Sequence, residues 1–446
     1  MRTYLVQFII TFASKFFGRI VLSMLREGLI LTSKYFFLIK KLKGWLKMVQ
    51  YAKRRKAMGY TIDSMHKIME SLTNEELISF GGGAPAKEAY PLEQIKEIMQ
   101  SISNNEEKML QGLSYGATIG LAPLRKEIIK NLLIPNGIQG NTNEVMVTAG
   151  GIQGLYLVGR LFIDPGDVIL VEAPTFIHAK MVFDGFEAKF VSCPMASDGL
   201  DLEALEEKIM TYQPKIIYTM PTFHNPTGIS MSVDKRKKMA RIAETYDVII
   251  LEDDPYSAIR YNNKDIKPVK SYTNSKNIIY ASSLSKIFSP GARLGYLVAD
   301  SEIVKELVEM KLSTDTCTNG FTQMICAEFF NKGYYPLHLE KITDIYRSRR
   351  EAMAKSIDLY FPKGTKRTSP EGGFYIWVEL PKGLDGRKLL PEVNEAVKIT
   401  YGCGSDFFIE ENNDGSEFIR FSFAGIESHV IENSMKILGN FFKSKL

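Results

Sequence analysis

The chain has 446 residues, 45% of them hydrophobic and 24% charged, which is the make-up of a globular protein long enough for a large core in two lobes and excludes a disordered chain. Its formal net charge of +5 is concentrated at one end: residues 1–47 hold nine Lys or Arg against the single acid Glu27, leaving 47 basic and 50 acidic side chains in the rest. A body with a slight acidic excess is excluded, on charge grounds, as a nucleic-acid-binding surface.

In chain order, residues 1–47 mix apolar stretches (5–13 and 35–39) with Arg2, Lys15, Arg19, Arg26, Lys34, Lys40, Lys41, Lys43 and Lys47. No uninterrupted apolar run reaches spanning length, and no small-residue cleavage site follows the first one. Two readings stand: a basic amphipathic helix on a membrane surface, or sequence upstream of a start at Met48. The second is preferred because the globular pattern begins just after Met48. A helix is expected from Thr61. The stretch 76–80 then enters the run Gly81, Gly82, Gly83, Ala84, Pro85, and helices are expected over 91–102 and 124–133.

From 145–148 a long alternation begins: strand, small-residue turn (149–154), helix to 162, a turn at 164–167, and strands at 168–171 and 188–191. A helix at 202–211, a strand at 215–219, a helix at 233–246 and strands at 248–251, 277–280 and 294–299 complete it. This order predicts an α/β fold with a mostly parallel sheet between helices. After about 300 the pattern turns to long helices, including 335–360, with short strands at 374–380 and 417–423, the mark of a smaller α+β lobe with which the segment before the sheet could pack. The expected organisation is an extension at 1–47, an arm and part of the small domain at 48–90, a large domain at 91–325 and a C-terminal small domain at 326–446. Cys193, Cys317, Cys326 and Cys403 form no paired spacing and read as reduced, buried thiols, and the five histidines are dispersed, so no metal site is expected.

Ligands of parallel α/β sheets sit beyond the carboxyl ends of strands, and polar residues follow four of the apolar runs. Gly150, Gly151, Ile152, Gln153 and Gly154 make a turn that opens a helix, whose free N–H groups suit a phosphate. Asn225 lies in the segment Asn225, Pro226, Thr227, Gly228 and could donate to a ring oxygen. Glu252, Asp253, Asp254, Pro255 and Tyr256 offer a carboxylate for a pyridine nitrogen and a phenol for the same ring oxygen. Ser283, Ser285, Lys286 and Arg293 place an amine that can form a Schiff base among hydroxyls and a guanidinium that can hold a phosphate. Each piece alone has a plain reading: a solvated lysine, an Asn-Pro turn, an acidic loop, a tight strand-to-helix turn. Pyridoxal 5'-phosphate carries both an aldehyde and a phosphate, and the four pieces together suit it.

These residues resemble the fold-type I pyridoxal-phosphate enzymes, specifically the class I/II aminotransferases, over roughly 48–446. The branch of 2-aminoadipate, kynurenine, aromatic and branched-chain aminotransferases is similar in Ile78, Ser79, Phe80, Gly81, Gly82, Gly83, Ala84, Pro85, in Tyr115-Gly116, in Glu172, Ala173, Pro174, Thr175, Phe176, and in Pro370, Glu371, Gly372, Gly373, Phe374. The resemblance implies a large domain with a mostly parallel sheet plus a smaller α+β domain. It implies that Lys286 bonds the cofactor and shuttles a proton, that Asp253 pairs with the pyridinium, and that Asn225 and Tyr256 bond the ring hydroxyl. Phe176 would cover the ring, and Gly151 and Ile152 amides with Ser283, Ser285 and Arg293 would hold the phosphate. Arg420 would clamp the substrate carboxylate, Gly83 would allow its close approach, and Tyr115 would reach the phosphate of a neighbouring subunit in a homodimer with shared active sites.

Three departures stand out. Gly151 replaces a frequent serine, Cys403 precedes Gly404 where a proline is usual, and His66 falls about where dicarboxylate-using relatives carry an arginine. The function expected is ping-pong transfer of an amino group between an L-amino acid and a 2-oxo acid, in the cytoplasm. The alternatives are a lyase acting by C–S or β-elimination on the same scaffold, and a non-catalytic effector domain.

Overall fold

Stretches rich in Ile, Val, Leu and Tyr become strands because branched and aromatic side chains fit a pleated surface that is covered on both sides. The computed structural model describes residues 51–52, 54–59, 62, 66, 74–262, 264–409 and 415–446. The reading of residues 1–47 lies outside them, as does most of the helix expected from Thr61. The chain divides into units Met1–Lys53 and Arg54–Leu446, and the second carries everything described below.

Strand β1 (Ile78–Ser79) precedes an eight-stranded sheet made of β2 (Val145–Thr148), β3 (Val168–Ala173), β4 (Lys189–Ala196), β5 (Gly199–Leu200), β6 (Ile216–Thr219), β7 (Ile249–Asp253), β8 (Ile278–Ser283) and β9 (Gly295–Val298). Their order is β2-β9-β8-β7-β6-β3-β4-β5. The chain runs parallel through β8, β7, β6, β3 and β4, while β9 lies antiparallel to both its neighbours and β5 antiparallel to β4. The helices are α1 (Leu92–Ser103), α2 (Glu106–Leu113), α3 (Ala122–Ile128, continued by a π turn to Leu133), α4 (Gly151–Phe162), α5 (Ile177–Asp184), α6 (Leu202–Tyr212), α7 (Val233–Thr245), α8 (Ser301–Leu312), α9 (Gly320–Asn331), α10 (Tyr335–Tyr360), α11 (Gly386–Ala396) and α12 (Ser428–Lys443).

Alternate strand residues feed two cores. Ile169, Val171, Ile216, Tyr218, Leu251 and Ile279 pack with α4, α5 and α8 through Leu155, Val158, Phe183, Val304 and Leu307. Leu170, Ile217, Ile250 and Ile278 point the other way, onto Leu205 and Ile209 of α6 and Met239, Ile242 and Ala243 of α7. Each fully buried Leu or Ile stabilises by about 1.5–3 kcal/mol, so the sheet is a stiff platform. The expected α/β sandwich is present, but α5 and α2, of eight residues each, went unpredicted because two helical turns give too short a period to read.

After α10 comes a second, antiparallel sheet in the order β10-β11-β14-β13, from β10 (Lys366–Arg367), β11 (Tyr375–Glu379), β13 (Gly402–Cys403) and β14 (Phe418–Ser422). Strand β1 pairs in parallel with β12 (Ile399–Thr400). Phe80 N–H then donates to Thr400 O (2.8 Å) and Ser422 N–H to Phe80 O (2.8 Å), so the glycine run starts from a pinned residue beside β14. Among the cysteines, Cys193, Cys326 and Cys403 are buried and Cys317 only half-buried, a correction to the expectation that all four are covered; among the described residues none is in a disulfide. Among the described residues no helix is long and apolar enough to cross a membrane.

The loop from Met220 to Met231 is tied down by Arg236 of α7, whose side chain is fully buried. Its Nε donates to Met231 O (2.9 Å), Nη2 to Pro221 O (2.6 Å) and Thr222 Oγ1 (3.0 Å), and Nη1 to Lys267 O (3.2 Å). Arg236→Met takes these donors away, leaving Pro221 O only its bond from the Met231 amide (2.7 Å), and chemical denaturation is expected to read a loss of about 3 kcal/mol.

Candidate active site

Beyond the carboxyl ends of β7, β8 and β6 lies a cavity of about 410 Å³. Its lining includes Gly83, Gly151, Ile152, Phe176, Asn225, Asp253, Tyr256, Ser283, Ser285, Lys286, Arg293 and Arg420, so twelve of the thirteen residues singled out in the sequence come together. The thirteenth, Tyr115, is 91% exposed and does not line it. His66 is helical and exposed.

The turn after β2 is shaped by contacts that only glycine permits. Gly150 has φ +88°, and a Cβ there would fall 2.4 Å from Arg293 Nη2. A Cβ on Gly295 of β9 would lie 2.7 Å from the backbone of Gly150 and Gly151, so that strand passes directly under the turn. Helix α4 therefore opens at Gly151 with its first amides toward the cavity, where an anion is favoured. Gly151 itself would bring a Cβ no closer than 3.5 Å to Ser283, so the serine frequent at this position would fit. Ser283 Oγ donates to Ser285 Oγ (3.0 Å) and accepts from the Ser285 amide (3.2 Å). Arg293, held at φ +51°, reaches back to Ala149 O (3.4 Å).

Asp253, the last residue of β7, is buried with the phenol of Tyr218 donating to its Oδ2 (2.8 Å). No cation lies within ion-pair distance of it among the described residues. Burial pushes its carboxyl up to about 7, against the pull of the Tyr218 bond, and the charges of Asp254 and Glu172 add to the rise. Lys286 is pushed down to about 8 by burial and by Arg293 and Arg420. Its Nζ donates to Gly83 O (2.7 Å).

Arg420 projects from β14 and is 4% exposed. Its Nη1 donates to Asn225 Oδ1 (2.8 Å), its Nη2 to Gly81 O, and its Nε has no partner among the described residues. The guanidinium lies between the rings of Tyr375 (4.4 Å) and Phe407 (4.6 Å), and no carboxylate pairs with it among the described residues. Because Asn225 accepts through Oδ1, its amide NH₂ remains as a donor. Tyr256 packs on Phe374, and its hydroxyl meets that of Tyr375 (3.3 Å).

Sequence reasoning missed Tyr218, Tyr375 and His178. The close fit of Tyr375 to Gly83, where a Cβ would fall 2.0 Å from its hydroxyl, joins residues far apart in the chain. His178, at the start of α5, stands edge-on to Phe176 (5.5 Å), and its imidazole is held down to about 4 by burial and by Arg420 and Lys286. It is therefore neutral at pH 7. A third support lies under Asn225. Buried Glu172 accepts from Thr219 Oγ1 (2.6 Å) and the Met220 amide (3.0 Å) and faces His224 Nε2 (3.1 Å), while His224 Nδ1 pairs with Thr227 Oγ1 (2.8 Å).

A carboxyl whose folded value is raised binds its proton more tightly in the native state, so its contribution to stability is full below the unfolded value near 4 and is lost as the pH rises to about 7. In the cofactor-free protein, Asp253→Asn removes this loss. Denaturation at pH 4 and pH 8 is expected to show the variant gaining about 3 kcal/mol on the wild type between the two.

A family model described as "Aminotransferase class I and II" matches residues 75–438. An aromatic-amino-acid aminotransferase of Thermococcus litoralis is 36% identical over 396 residues, covering 88% of this chain and 94% of that protein. A 2-aminoadipate transaminase of Thermus thermophilus is 31% identical over 386 residues, covering 86% and 94%. The solved structure of a kynurenine aminotransferase from Pyrococcus horikoshii superposes with a TM-score of 0.80 at 33% identity, covering 91% of this chain and 97% of that one. With the family match spanning most of its length, the chain belongs to the class I and II aminotransferases, enzymes of fold type I that work with pyridoxal phosphate.

Proposed function

We propose that the cavity binds pyridoxal phosphate at its Gly151 and Lys286 end and an L-amino acid or 2-oxo acid against Arg420, passing the amino group between them in two half-reactions. The charge pattern carries this reading. One cavity holds a half-buried amine and, with no partner of opposite charge among the described residues, a buried carboxylate and a buried guanidinium; the ligands needed are a carbonyl, a protonated ring nitrogen and a carboxylate. When bound, the cofactor supplies the carbonyl carbon that takes the amine and a ring that accepts electrons.

In this assignment Gly151 and Ile152 amides, Ser283 and Ser285 hydroxyls and Arg293 hold the phosphate, and Phe176 covers one ring face. Asp253 keeps the ring nitrogen protonated, its bond from Tyr218 fixing the carboxylate plane. Asn225 and Tyr256 donate to the ring oxygen. Lys286, with its amine already depressed to about 8, is a base of suitable strength to move a proton at the substrate α-carbon. Arg420, with Asn225, grips the α-carboxylate, and Gly83 leaves room for it.

A homodimer with shared sites goes with this reading. Tyr115 is exposed within its own chain, near Leu110 at 58% and Leu113 at 70% exposure, an apolar surface that a second copy would cover. Four cysteines without a disulfide among the described residues fit the reducing cytoplasm.

Adding a good amino acid donor to the loaded protein is expected to convert the absorbance of the lysine-bound cofactor to that of its amine form. Lys286→Ala should slow this by about a thousandfold. Pyruvate release without the absorbance change would instead mark the lyase alternative, and a fully active Lys286→Ala protein would sink the assignment. Sedimentation should give twice the chain mass, and Tyr115→Phe should weaken cofactor binding about tenfold, the worth of one hydrogen bond.

A further inference from the structure

Besides Arg293, which lines the cavity, the turn that opens α4 is held from behind by groups that lie outside its lining. Ala149, the residue just before Gly150, has both its backbone groups occupied: its carbonyl accepts from Arg293 Nη2 (3.4 Å) and its N–H donates to Gln153 Oε1 (2.7 Å). The same Gln153 oxygen accepts from Lys311 Nζ (3.0 Å), and Gln153 Nε2 donates to Asp315 Oδ2 (2.6 Å). Lys311 and Asp315 close the ring as an ion pair at 2.6 Å, with the lysine side chain fully buried.

Asp315 sits where the chain winds around the end of α8, the amides of Thr314 and Asp315 both bonding Lys311 O. Three residues on, Thr318 Oγ1 reaches Val147 O of β2 (3.4 Å). The ion pair is thus anchored to the strand from which the turn springs. A buried lysine beside a half-covered aspartate is a costly way to finish a helix, since leaving the charge in water would avoid its desolvation. What the pair does here is present a fixed donor and a fixed acceptor to the two ends of one amide side chain.

We propose that Gln153, Lys311 and Asp315 form a positioning bridge that orients the Ala149 peptide and so aims the Gly151 and Ile152 amides at the cofactor phosphate. The inference rests on the assignment of those amides to the phosphate. The bridge touches neither cofactor nor substrate. It acts by setting the direction of backbone donors, whose hydrogen bonds to an anion weaken steeply with misalignment.

The experiment titrates the cofactor-free protein with pyridoxal phosphate and with pyridoxal, which lacks the phosphate, and reads the ratio of the two dissociation constants. Gln153→Ala, or Gln153→Met if the alanine variant does not fold, is expected to lower the preference for the phosphorylated form about tenfold while leaving pyridoxal affinity unchanged. The exchange Gln153→Glu with Asp315→Asn places the carboxylate where the amide was and the amide where the carboxylate was. It allows the bonds from Ala149 N–H and Lys311 to residue 153, the bond between residues 153 and 315, and that from Lys311 to Oδ1 of residue 315 to re-form at the same net charge, losing only the second Lys311 bond to residue 315, so the preference should return. An unchanged ratio in the single variant, an equal loss for both ligands, or no recovery in the exchanged variant would overturn the bridge. A wild-type protein that binds both ligands equally would instead remove the phosphate assignment beneath it.

Discussion

Three charges that do not neutralise one another, two buried and one half-buried, set the terms for the rest of the molecule. Asp253, Lys286 and Arg420 share one cavity, yet among the described residues none has an ion-pair partner there. Burying a charge unpaired costs several kcal/mol unless other groups solvate it, so each is placed among fixed dipoles instead: a phenol on Asp253, carbonyls on Lys286 and Arg420, and aromatic faces on both sides of the guanidinium. Keeping like and unlike charges at set separations requires a scaffold that does not relax. The two-faced sheet supplies it, with β7 carrying Asp253 and β8 leading to Lys286, while the small sheet brings Arg420 from the opposite side.

That division of labour explains which parts could be read from the amino-acid order. Strands buried on both faces must be continuous apolar runs, so their positions and the polar residues at their ends stood out together; Asp253, Ser283 and the turn at Gly150 are all within a residue or two of a strand end. Lys286 and Arg293 were legible because a single short segment carries amine, hydroxyls and guanidinium. The roles assigned to Tyr115 and Arg420 came from resemblance, since nothing local distinguishes an arginine on a strand.

Other features depend on folding that brings distant residues together and leave no local trace. Tyr218 reads as one more aromatic in a core strand until β6 and β7 are placed side by side. Tyr375 meets Gly83 only after β1 has crossed to β12. His178 lies on a helix of two turns, too brief for a period to emerge, and Lys311 with Asp315 looks like an ordinary i, i+4 surface pair until its burial is known.

The glycine run has one further consequence. Lys286 and Arg420 both donate to carbonyls of this run, at Gly83 and Gly81. A ligand entering the cavity therefore meets donors already partly engaged, with Arg420 Nε left over for it among the described residues. At Gly81 and Gly83 it swaps one acceptor for another, and at Arg420 Nε it can add a bond. Selectivity at Arg420 then comes from the difference between a neutral carbonyl oxygen and a charged carboxylate oxygen, the second forming a bond roughly twice as strong. Uncharged molecules of similar shape gain less from the exchange, and the backbone of residues 81–83 acts as a built-in competitor that every occupant must outbid.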